Sequence, residues 1–332
     1  MVEINLKDRK ILYELDLNCR QSNAQIGKKV GLSKEVTTYR IKRMEEEGII
    51  KGYWTEIDSY RFGYQVYRYY IVFQAATSNI REEIFQKIAD YKNTWVVNSV
   101  MGTYDLAAVI WVKSIPQFYH FWDEINEKYG DYFAEKIFSI YLESDIYPHS
   151  YLILDEDFKK DRENPQYVGK NEPIDITYQD YRLLDTIATN ARIPTVYIAE
   201  MLNCSSQGVS YNLNKLKENG IIQGYHTGIN FSKLGYEHFK LDIWLKELSK
   251  RRKIWNVLKY NPYVTFINTS AGYADLEIEF VTEDTDKLVD IVENLSIKFP
   301  SAIRKYIYFR AKKNYKFRSL PELTEKDFKS KR

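Results

Sequence analysis

Cysteine is scarce in this chain, and its scarcity excludes several classes of protein. Cys19 and Cys204 are the only two thiols in 332 residues, so neither a disulfide framework nor a cysteine-based zinc site is expected. Long apolar runs are also lacking, since the stretch at 105–112 is far shorter than the ~20 residues that span a bilayer. The N-terminus has charged residues and no apolar run, which is unlike a secretory signal. Two thiols fit a reducing compartment.

Neither basic nor acidic residues predominate. The chain has 48 basic and 46 acidic residues, a net charge of +2, so a polyanion partner would have to be recognised by local patches. Apolar residues make up 44% and aromatic residues 15% of the chain, with 29 tyrosines. This composition is typical of a globular protein, and the length suggests about two domains or several small modules.

Motifs for catalysis and metal binding are absent. The sequence has no phosphate-binding glycine loop, nucleophile elbow or HExxH pattern. The four histidines lack metal-ligand spacing and are interpreted as structural or exposed. We therefore expect no enzyme, no cofactor and no metal. The histidines are His120, His149, His226 and His238.

An internal repeat dominates the sequence. Residues 47–53 read EGIIKGY and residues 219–225 read NGIIQGY, an offset of 172 that also relates Phe62-Gly-Tyr64 to Leu234-Gly-Tyr236. Later, Gly102-Thr-Tyr-Asp-Leu106 aligns with Gly272-Tyr-Ala-Asp-Leu276 at an offset of 170. Such a register indicates a duplication. The same offset of 172 pairs Asp8 with Asp180, Leu12 with Leu184, Asn18 with Asn190, Arg20 with Arg192, Ile26 with Ile198, Ser33 with Ser205 and Tyr39 with Tyr211.

The first ~60 residues of each copy have the helical period. Ser22 and Gln25 form a predicted capping box, Gly31 ends the helix that follows, and Ser33 caps a third helix that stops at Gly48. Three helices with a short glycine-containing turn are typical of a helix-turn-helix. Its predicted core positions are Thr37, Ile41 and Met44, with Val209, Leu213 and Leu216 in the second copy.

The remaining ~90 residues of each copy alternate between strand and helix patterns. In copy 1 strands are predicted at 66–75, 95–101, 105–112 and 135–142, and helices at 79–91 and from Ser114 to Tyr129. This order, β-α-β-β-α-β, is typical of the ferredoxin-like plait. The fold class is therefore α+β. The predicted boundaries are 1–60 for the first helix-turn-helix domain (winged-helix type), 61–155 for the first plait, 156–174 for a linker, 175–232 and 233–318 for the second pair of domains, and 319–332 for a loose polar tail.

This arrangement resembles the leucine-responsive regulator family, Lrp/AsnC. Leu32-Ser33 and the segment 40–50, RIKRMEEEGII, follow the family's recognition helix and the turn after it. Gly102-Thr-Tyr-Asp105 resembles the hairpin of its effector-binding plait. The resemblance implies a transcription regulator that assembles through its plaits and senses a small effector, often an amino acid. Typical members carry one unit of each kind, whereas this chain carries two and resembles a fused dimer.

The third helix carries the predicted DNA-reading face. Lys34, Thr38 and Lys42 recur every four residues opposite the core, and such a face fits a major groove. A solvated face of a structural three-helix unit remains the alternative. The face of copy 2 is less basic, so we expect copy 1 to supply more of the non-specific affinity, on an imperfect palindrome. The candidate DNA-binding residues are Ser33, Lys34, Thr38, Tyr39, Arg40, Lys42 and Arg43, then Ser205, Ser206, Gln207, Ser210, Tyr211, Asn212, Asn214 and Lys215.

Two further sites are candidates. The resemblance places a small effector near Gly102, Tyr104, Asp105, Gly272 and Asp275, although glycine and aspartate also serve a hairpin structurally. Copy 2 has Ala274 where copy 1 has Tyr104, which predicts an altered second pocket. A basic cluster follows the last strand and is either a phosphate-contacting or a solubilising element; it comprises Arg310, Lys312, Lys313, Lys316 and Arg318.

Two alternatives share this architecture. Sirohaem decarboxylases resemble Lrp/AsnC regulators that have turned to tetrapyrrole chemistry, and they would need histidine and basic groups in a plait pocket. His120 and His149 could serve there, but copy 2 lacks counterparts. An architectural DNA-coating protein is the other alternative. The favoured expectation is a cytoplasmic, nucleoid-associated regulator that binds double-stranded DNA, associates with further copies and uses no membrane.

Overall fold

The computed structural model describes residues 4–154, 158–169 and 172–329. The two copies have the same order of elements. Copy 1 comprises α1 (Leu6–Leu17), α2 (Asn23–Val30), α3 (Lys34–Glu46), β1 (Ile50–Ile57), β2 (Gln65–Phe73), α4 (Ser78–Asp90), β3 (Thr94–Gly102), β4 (Leu106–Val112), α5 (Ile115–Tyr129) and β5 (Phe133–Ile146). The connecting segment holds α6 (Phe158–Asp161) and β6 (Gln166–Gly169). Copy 2 comprises α7 (Tyr178–Ala188), α8 (Thr195–Leu202), α9 (Ser206–Glu218), β7 (Ile222–Ile229), β8 (Glu237–Leu245), α10 (Arg251–Lys259), β9 (Val264–Ala271), β10 (Leu276–Thr282), α11 (Thr285–Lys298) and β11 (Ile303–Phe317), followed by α12 (Lys326–Lys329).

Local signals place the helices of the first helix-turn-helix. The Ser22 Oγ accepts from the Gln25 backbone N–H, and the Gln25 carboxamide accepts from the Ser22 N–H, which confirms the capping box. Gly31 takes the left-handed conformation that ends α2, and Ser33 caps α3. The predicted core positions of α3 and α9 are all buried. We call residues 4–57 head 1 and residues 176–229 head 2.

The two heads share a sheet. β1 pairs antiparallel with β7 from Ile50 opposite Ile229 to Ile57 opposite Ile222. A reciprocal pair of arginines adds to the joint: the Arg20 guanidinium donates to the Ala191 carbonyl at 2.7 Å, and Arg192 donates to the Asn23 side chain at 2.8 Å. Each recognition helix leads directly into its paired strand, so the heads hold a fixed relative placement with pseudo-twofold character.

The plaits, called plait 1 (61–155) and plait 2 (233–318), also join edge to edge. β3 of copy 1 pairs with β11 of copy 2, and β5 pairs with β9, so the two four-stranded sheets close into an eight-stranded barrel with β6 added outside β5. The barrel is closed because β2 pairs with both β4 and β5. Helices α4 and α5 cover the outer face of the first sheet, where alternate residues such as Tyr69 and Ile71 form one core. The intervening residues face the barrel interior.

The connecting segment is more ordered than its composition predicts. The buried Arg162 donates to the backbone carbonyls of Pro148 at 3.0 Å, Val264 at 2.7 Å and Lys259. Strand β6 pairs with the end of β5. Arg162 therefore attaches the first part of the predicted linker, 156–174, to plait 2, and the pairing of β6 attaches its second part to β5.

Parts of the predicted polar tail, 319–332, pack against head 2. Leu320 is fully buried, the Tyr181 hydroxyl donates to the Pro321 carbonyl at 3.2 Å, and Phe328 packs against Tyr178 and Tyr181 of head 2. Apolar residues spaced among polar ones supply this packing, which a count of polar residues obscures. Within the described residues, no helix is long and apolar enough to cross a bilayer.

Candidate nucleic-acid interface and effector hairpins

The outer face of α3 is open to solvent. Lys34, Thr38 and Lys42 are exposed, and Tyr39 is 66% exposed. Among the described residues Lys42 pairs with Glu46 alone, at 3.6 Å, and such an exposed pair is weak. The Thr38 hydroxyl donates to the Lys34 carbonyl and accepts from Asn23 of α2 at 2.9 Å, which ties the two helices of the motif together.

Arg40 and Arg43 serve a different purpose on the same helix. Their guanidinium groups meet the Asp8 carboxylate of α1 at 2.9 and 2.8 Å, and Asp8 is 1% exposed. A buried carboxylate with two charge-assisted partners fixes the angle between α1 and α3. These two predicted DNA-binding residues thus point toward α1, and the exposed cations of α3 are the lysines.

The equivalent face of head 2 is polar but scarcely charged. Tyr211 is 70% exposed, and Ser205, Gln207, Ser210, Asn214 and Lys215 are exposed. Ser206 and Asn212 are half-buried. The Ser210 hydroxyl donates to the Ser206 carbonyl, and Ser205 caps α9. In head 2 the equivalent of Asp8 is Asp180, whose carboxylate accepts from the Thr177 backbone N–H in a capping box. Asn212 occupies the position that Arg40 has in head 1.

A second difference between the heads lies on the helix before the recognition helix. Head 1 exposes Ala24, Gln25, Lys28 and Lys29 on α2. At the same repeat positions head 2 exposes Val196, Tyr197, Glu200 and Met201 on α8. This contrast was missed by the sequence reasoning, although the offset of 172 reveals it once the exposed positions are known. On this helix head 1 is therefore the more basic of the two heads.

The basic cluster after the last plait is paired within the protein. The Arg310 guanidinium contacts Glu237, Lys313 contacts Glu82 at 2.8 Å, and Arg318 contacts Asp185. Lys316 donates to the Tyr91 carbonyl at 3.1 Å. Arg310 thus pairs with the neighbouring strand β8, and the other three contacts join β11 and the segment after it to plait 1 and head 2. Structural pairing therefore accounts for four of the five residues, with Lys312 exposed.

The aspartates of the two hairpins are engaged in equivalent ways. The Asp105 carboxylate accepts from the Phe73 backbone N–H at 2.8 Å, and the Asp275 carboxylate accepts from the Leu245 N–H at 2.7 Å. Each carboxylate therefore ties its hairpin to the end of a neighbouring strand. Gly102 has a φ of +131° and lies against β11, since a Cβ there would meet the Phe309 Cβ at 3.0 Å.

The hairpins meet through a tyrosine pair. Tyr104 stacks on Tyr70 with centroids 4.5 Å apart, and its hydroxyl lies 2.5 Å from the Tyr273 hydroxyl. Burial raises the pKa of Tyr104 to about 12. The tyrosine of copy 2 is thus Tyr273, one residue before Ala274. An alignment at the constant offset of 170 pairs Tyr104 with Ala274 and so misses it. The structure brings the predicted Tyr104 and the missed Tyr273 together inside the barrel.

Three of the four histidines lie near the junction of the heads and plaits. The buried Asp16 carboxylate lies 2.8 Å from the His149 Nδ1 and 3.5 Å from the His226 Nδ1, and the neighbouring histidines hold the pKa of Asp16 low despite its burial. His238 lies 3.1 Å from Glu279, whereas His120 is exposed on α5. In the described residues no group of three acidic, histidine or cysteine side chains is arranged to hold a metal.

Comparison with known proteins agrees with this architecture. A family model for winged helix-turn-helix DNA-binding domains matches residues 4–51 and 176–223, one match per head. The regulator LrpA of Pyrococcus abyssi is 30% identical over 116 residues, which are 35% of this chain and 82% of LrpA. The regulator Ptr1 of Methanocaldococcus jannaschii is 29% identical over 133 residues, 40% of this chain and 81% of Ptr1.

A solved structure shares the whole tandem fold. The sirohaem decarboxylase NirDL superposes with a TM-score of 0.63 at 13% identity and covers 98% of both chains. At that identity the likeness concerns the fold alone. The duplicated helix-turn-helix, the plaits and the similarity to curated regulators lead to one conclusion: the chain belongs to the Lrp/AsnC family of transcription regulators, in a tandem-duplicated form.

Proposed function

We propose that the protein is a sequence-specific DNA-binding regulator that acts as a fused pseudo-dimer. The observation that carries this proposal is the β1–β7 sheet, which holds two helix-turn-helix heads side by side with the outer faces of α3 and α9 exposed. Two heads at a fixed spacing suit two half-sites on one face of a duplex. Cytoplasmic, nucleoid-associated action follows from that role.

Head 1 supplies most of the phosphate contacts in this proposal. Lys34 and Lys42 are the exposed cations of α3, and Lys28 is exposed on α2 beside it, whereas the neighbouring Lys29 is paired with Glu14 at 2.6 Å. Arg40 and Arg43 position the helix through Asp8. Head 2 contributes hydrogen-bonding groups, which favours an imperfect palindrome with one strongly and one weakly held half-site.

An effector of the amino-acid class is proposed to act at the hairpins, and further copies of the chain to associate through the plaits. Support for association comes from apolar side chains exposed on the plait helices, namely Ile115 and Tyr119 of α5 and Ile297 of α11. An increase in melting temperature with one amino acid, absent in Asp105→Asn and Asp275→Asn, would support the effector site. Light scattering after size exclusion tests the association.

The regulator is tested by selecting bound fragments from a genomic pool, sequencing them and titrating the affinity with salt. The proposal predicts a recurring motif and a specific affinity at least about 10³-fold above non-specific binding. Tight binding without an enriched motif would instead indicate an architectural protein. No binding at low salt would contradict both.

A second candidate, a tetrapyrrole decarboxylase, is favoured by one observation. The likeness to NirDL extends over both heads and both plaits, whereas LrpA aligns with only 35% of this chain. His149, His226 and His238 are histidines near one junction of this fold. Two results together would favour the enzyme: a shift of the Soret band when an iron uroporphyrin is added to the purified protein, and no enriched motif in the DNA selection described above.

A further inference from the structure

The barrel interior contains an ionic network that crosses between the two plaits. Arg68 of copy 1 lies 3.8 Å from Glu277 and 3.3 Å from Glu279 of copy 2. Glu277 also contacts Lys240 and accepts from the hydroxyls of Ser139 at 3.2 Å and Tyr141 at 3.1 Å. Arg68, Lys240 and Glu277 are each less than 10% exposed. The network therefore depends on both copies and excludes most solvent.

A third carboxyl group, that of Asp242, lies beside this network. Asp242 is fully buried, the Lys240 Nζ lies 3.6 Å away, and the Tyr273 hydroxyl faces its carboxylate. Burial raises the pKa of Asp242 to about 7, and Lys240 and Arg68 hold the pKa of Glu277 low against the effect of burial. With Asp242 protonated, two cations face two ionised glutamates, with His238 beside Glu279 at the rim.

The repeat register shows that these charges are divided unequally between the copies. Arg68 and Lys240 are equivalent at the offset of 172, so both plaits supply a cation. At the offset of 170, Glu277 and Glu279 correspond to Ala107 and Val109 of plait 1. Asp242 corresponds to Tyr70. Every carboxylate of the network therefore belongs to copy 2.

This division makes the two kinds of self-pairing unfavourable. A barrel made of two first plaits would bury two copies of Arg68 with no carboxylate from the network. A barrel made of two second plaits would bury four glutamates against two copies of Lys240, and two copies of Asp242 besides. Uncompensated charges in a barrel cost far more than a matched pair of the same groups.

We propose that this network selects which plait pairs with plait 2 at the barrel seam. Plait 2 accepts a plait whose interior carries a cation and no carboxylate, as in copy 1, and rejects a second plait 2. The interior charges thus keep the fused chain paired within itself and exclude plaits that bring carboxylates of their own. The selection works by repulsion in the wrong pairs as well as by attraction in the right one.

The test uses the full chain, cut only after it has folded. A protease site is inserted between residues 170 and 171, the folded protein is cleaved, and the pairs that form after mild dissociation and re-association are counted by native mass spectrometry. Random pairing would give as many self-pairs as mixed pairs. We expect self-pairs of the wild-type copies to be rarer than random pairing would give by a factor of about ten or more.

A charge exchange gives a directional result. Arg68→Glu together with Glu279→Arg keeps the number of charges in the mixed barrel, but gives copy 2 two cations of its own and copy 1 a carboxylate. We expect self-pairs of copy 2 to appear and self-pairs of copy 1 to stay absent. A neutral set, Arg68→Met, Lys240→Met, Glu277→Gln and Glu279→Gln, should release both kinds of self-pair.

A second measurement keeps the test decisive if cut copies do not stay folded. Uncut chains are refolded at high concentration, and the exchanged variant should form oligomers beyond those of the wild type, because copy 2 of one chain pairs with copy 2 of another. Wild-type copies that pair at random, or an exchanged variant that behaves as the wild type in both measurements, would overturn the proposal.

Discussion

The two copies share a fold and differ in chemistry. Copy 1 exposes Lys34 and Lys42 on its recognition helix and supplies only Arg68 to the charged network of the barrel. Copy 2 exposes serine and asparagine on the matching helix and supplies Glu277 and Glu279 to the barrel. Repetition of a fold therefore does not imply repetition of its chemistry. A fused chain is free to divide between its copies what a homodimer must carry twice.

The largest expected effect concerns Asp242, whose repeat equivalent is Tyr70. Because the folded-state pKa of Asp242 is raised to about 7, the folded protein holds this proton more tightly than the unfolded chain does. Stability should fall as pH rises from about 4 to about 7 and stay low above that. Asp242→Asn should remove this loss, up to about 4 kcal/mol at pH 8, with no gain near pH 4.

The matched control is Tyr70→Phe, which should leave the pH dependence unchanged. Chemical denaturation of both variants and the wild type between pH 4 and pH 8 measures the difference. A gain in Asp242→Asn that is the same at every pH would contradict the assignment of the proton.

The next largest effect should separate the heads. Asp8→Ala leaves two partly exposed arginines without their buried partner and removes the Asp8 half of the α1 capping box, so we expect a loss of about 2–3 kcal/mol in head 1. Asp180→Ala removes only a capping box from head 2 and should cost about 1 kcal/mol. Hydrogen exchange measured separately over α1–α3 and α7–α9 gives both values. Equal losses of protection would show that the arginine pairs stabilise nothing.

A smaller difference is expected between the hairpin glycines. Gly102→Ala should cost about 2 kcal/mol, because φ is +131° and the new methyl group would meet β11. Gly272→Ala should cost about 1 kcal/mol, since φ is +89° and the nearest atom is 4.0 Å away. Thermal unfolding of the two variants provides the comparison. If Gly272→Ala is the more damaging, the second hairpin packs more tightly than the structure shows.

The smallest effect concerns the tyrosine pair. Tyr104→Phe removes one side of this hydroxyl contact and should cost about 1 kcal/mol, whereas Tyr273→Phe also removes a hydroxyl that faces Asp242 and should cost at least as much. The double variant should cost about as much as Tyr273→Phe alone, since that change already breaks the contact. Additive losses in denaturation experiments would mean that each hydroxyl has a separate partner.

Periodic and capping signals predicted most of the local structure. Ser22, Gln25 and Ser33 marked helix starts correctly, and the buried positions of α3 and α9 followed from spacing. The α+β class, with two helix-turn-helix heads and two plaits, is confirmed. These features depend on residues near each other in sequence, where a single period is informative.

Long-range pairing was beyond the sequence. Nothing local indicates that β1 pairs with β7 or that β3 pairs with β11, because edge strands carry no label for their partners. The engagement of Arg40 and Arg43 by Asp8 was likewise hidden, since a helix face seen alone appears free to bind DNA. The predicted DNA-binding and effector residues remain predictions.

Head 1 is expected to provide most of the attraction for DNA. The most direct measurement is fluorescence anisotropy on a selected operator, titrated with salt, for Lys34→Ala with Lys42→Ala and for the matched pair Asn214→Ala with Lys215→Ala. We predict that the head 1 pair lowers affinity by about 10- to 100-fold and lowers the salt slope by about 2, whereas the head 2 pair lowers the slope by about 1 or less. Equal losses in affinity and slope for the two pairs would contradict the claim.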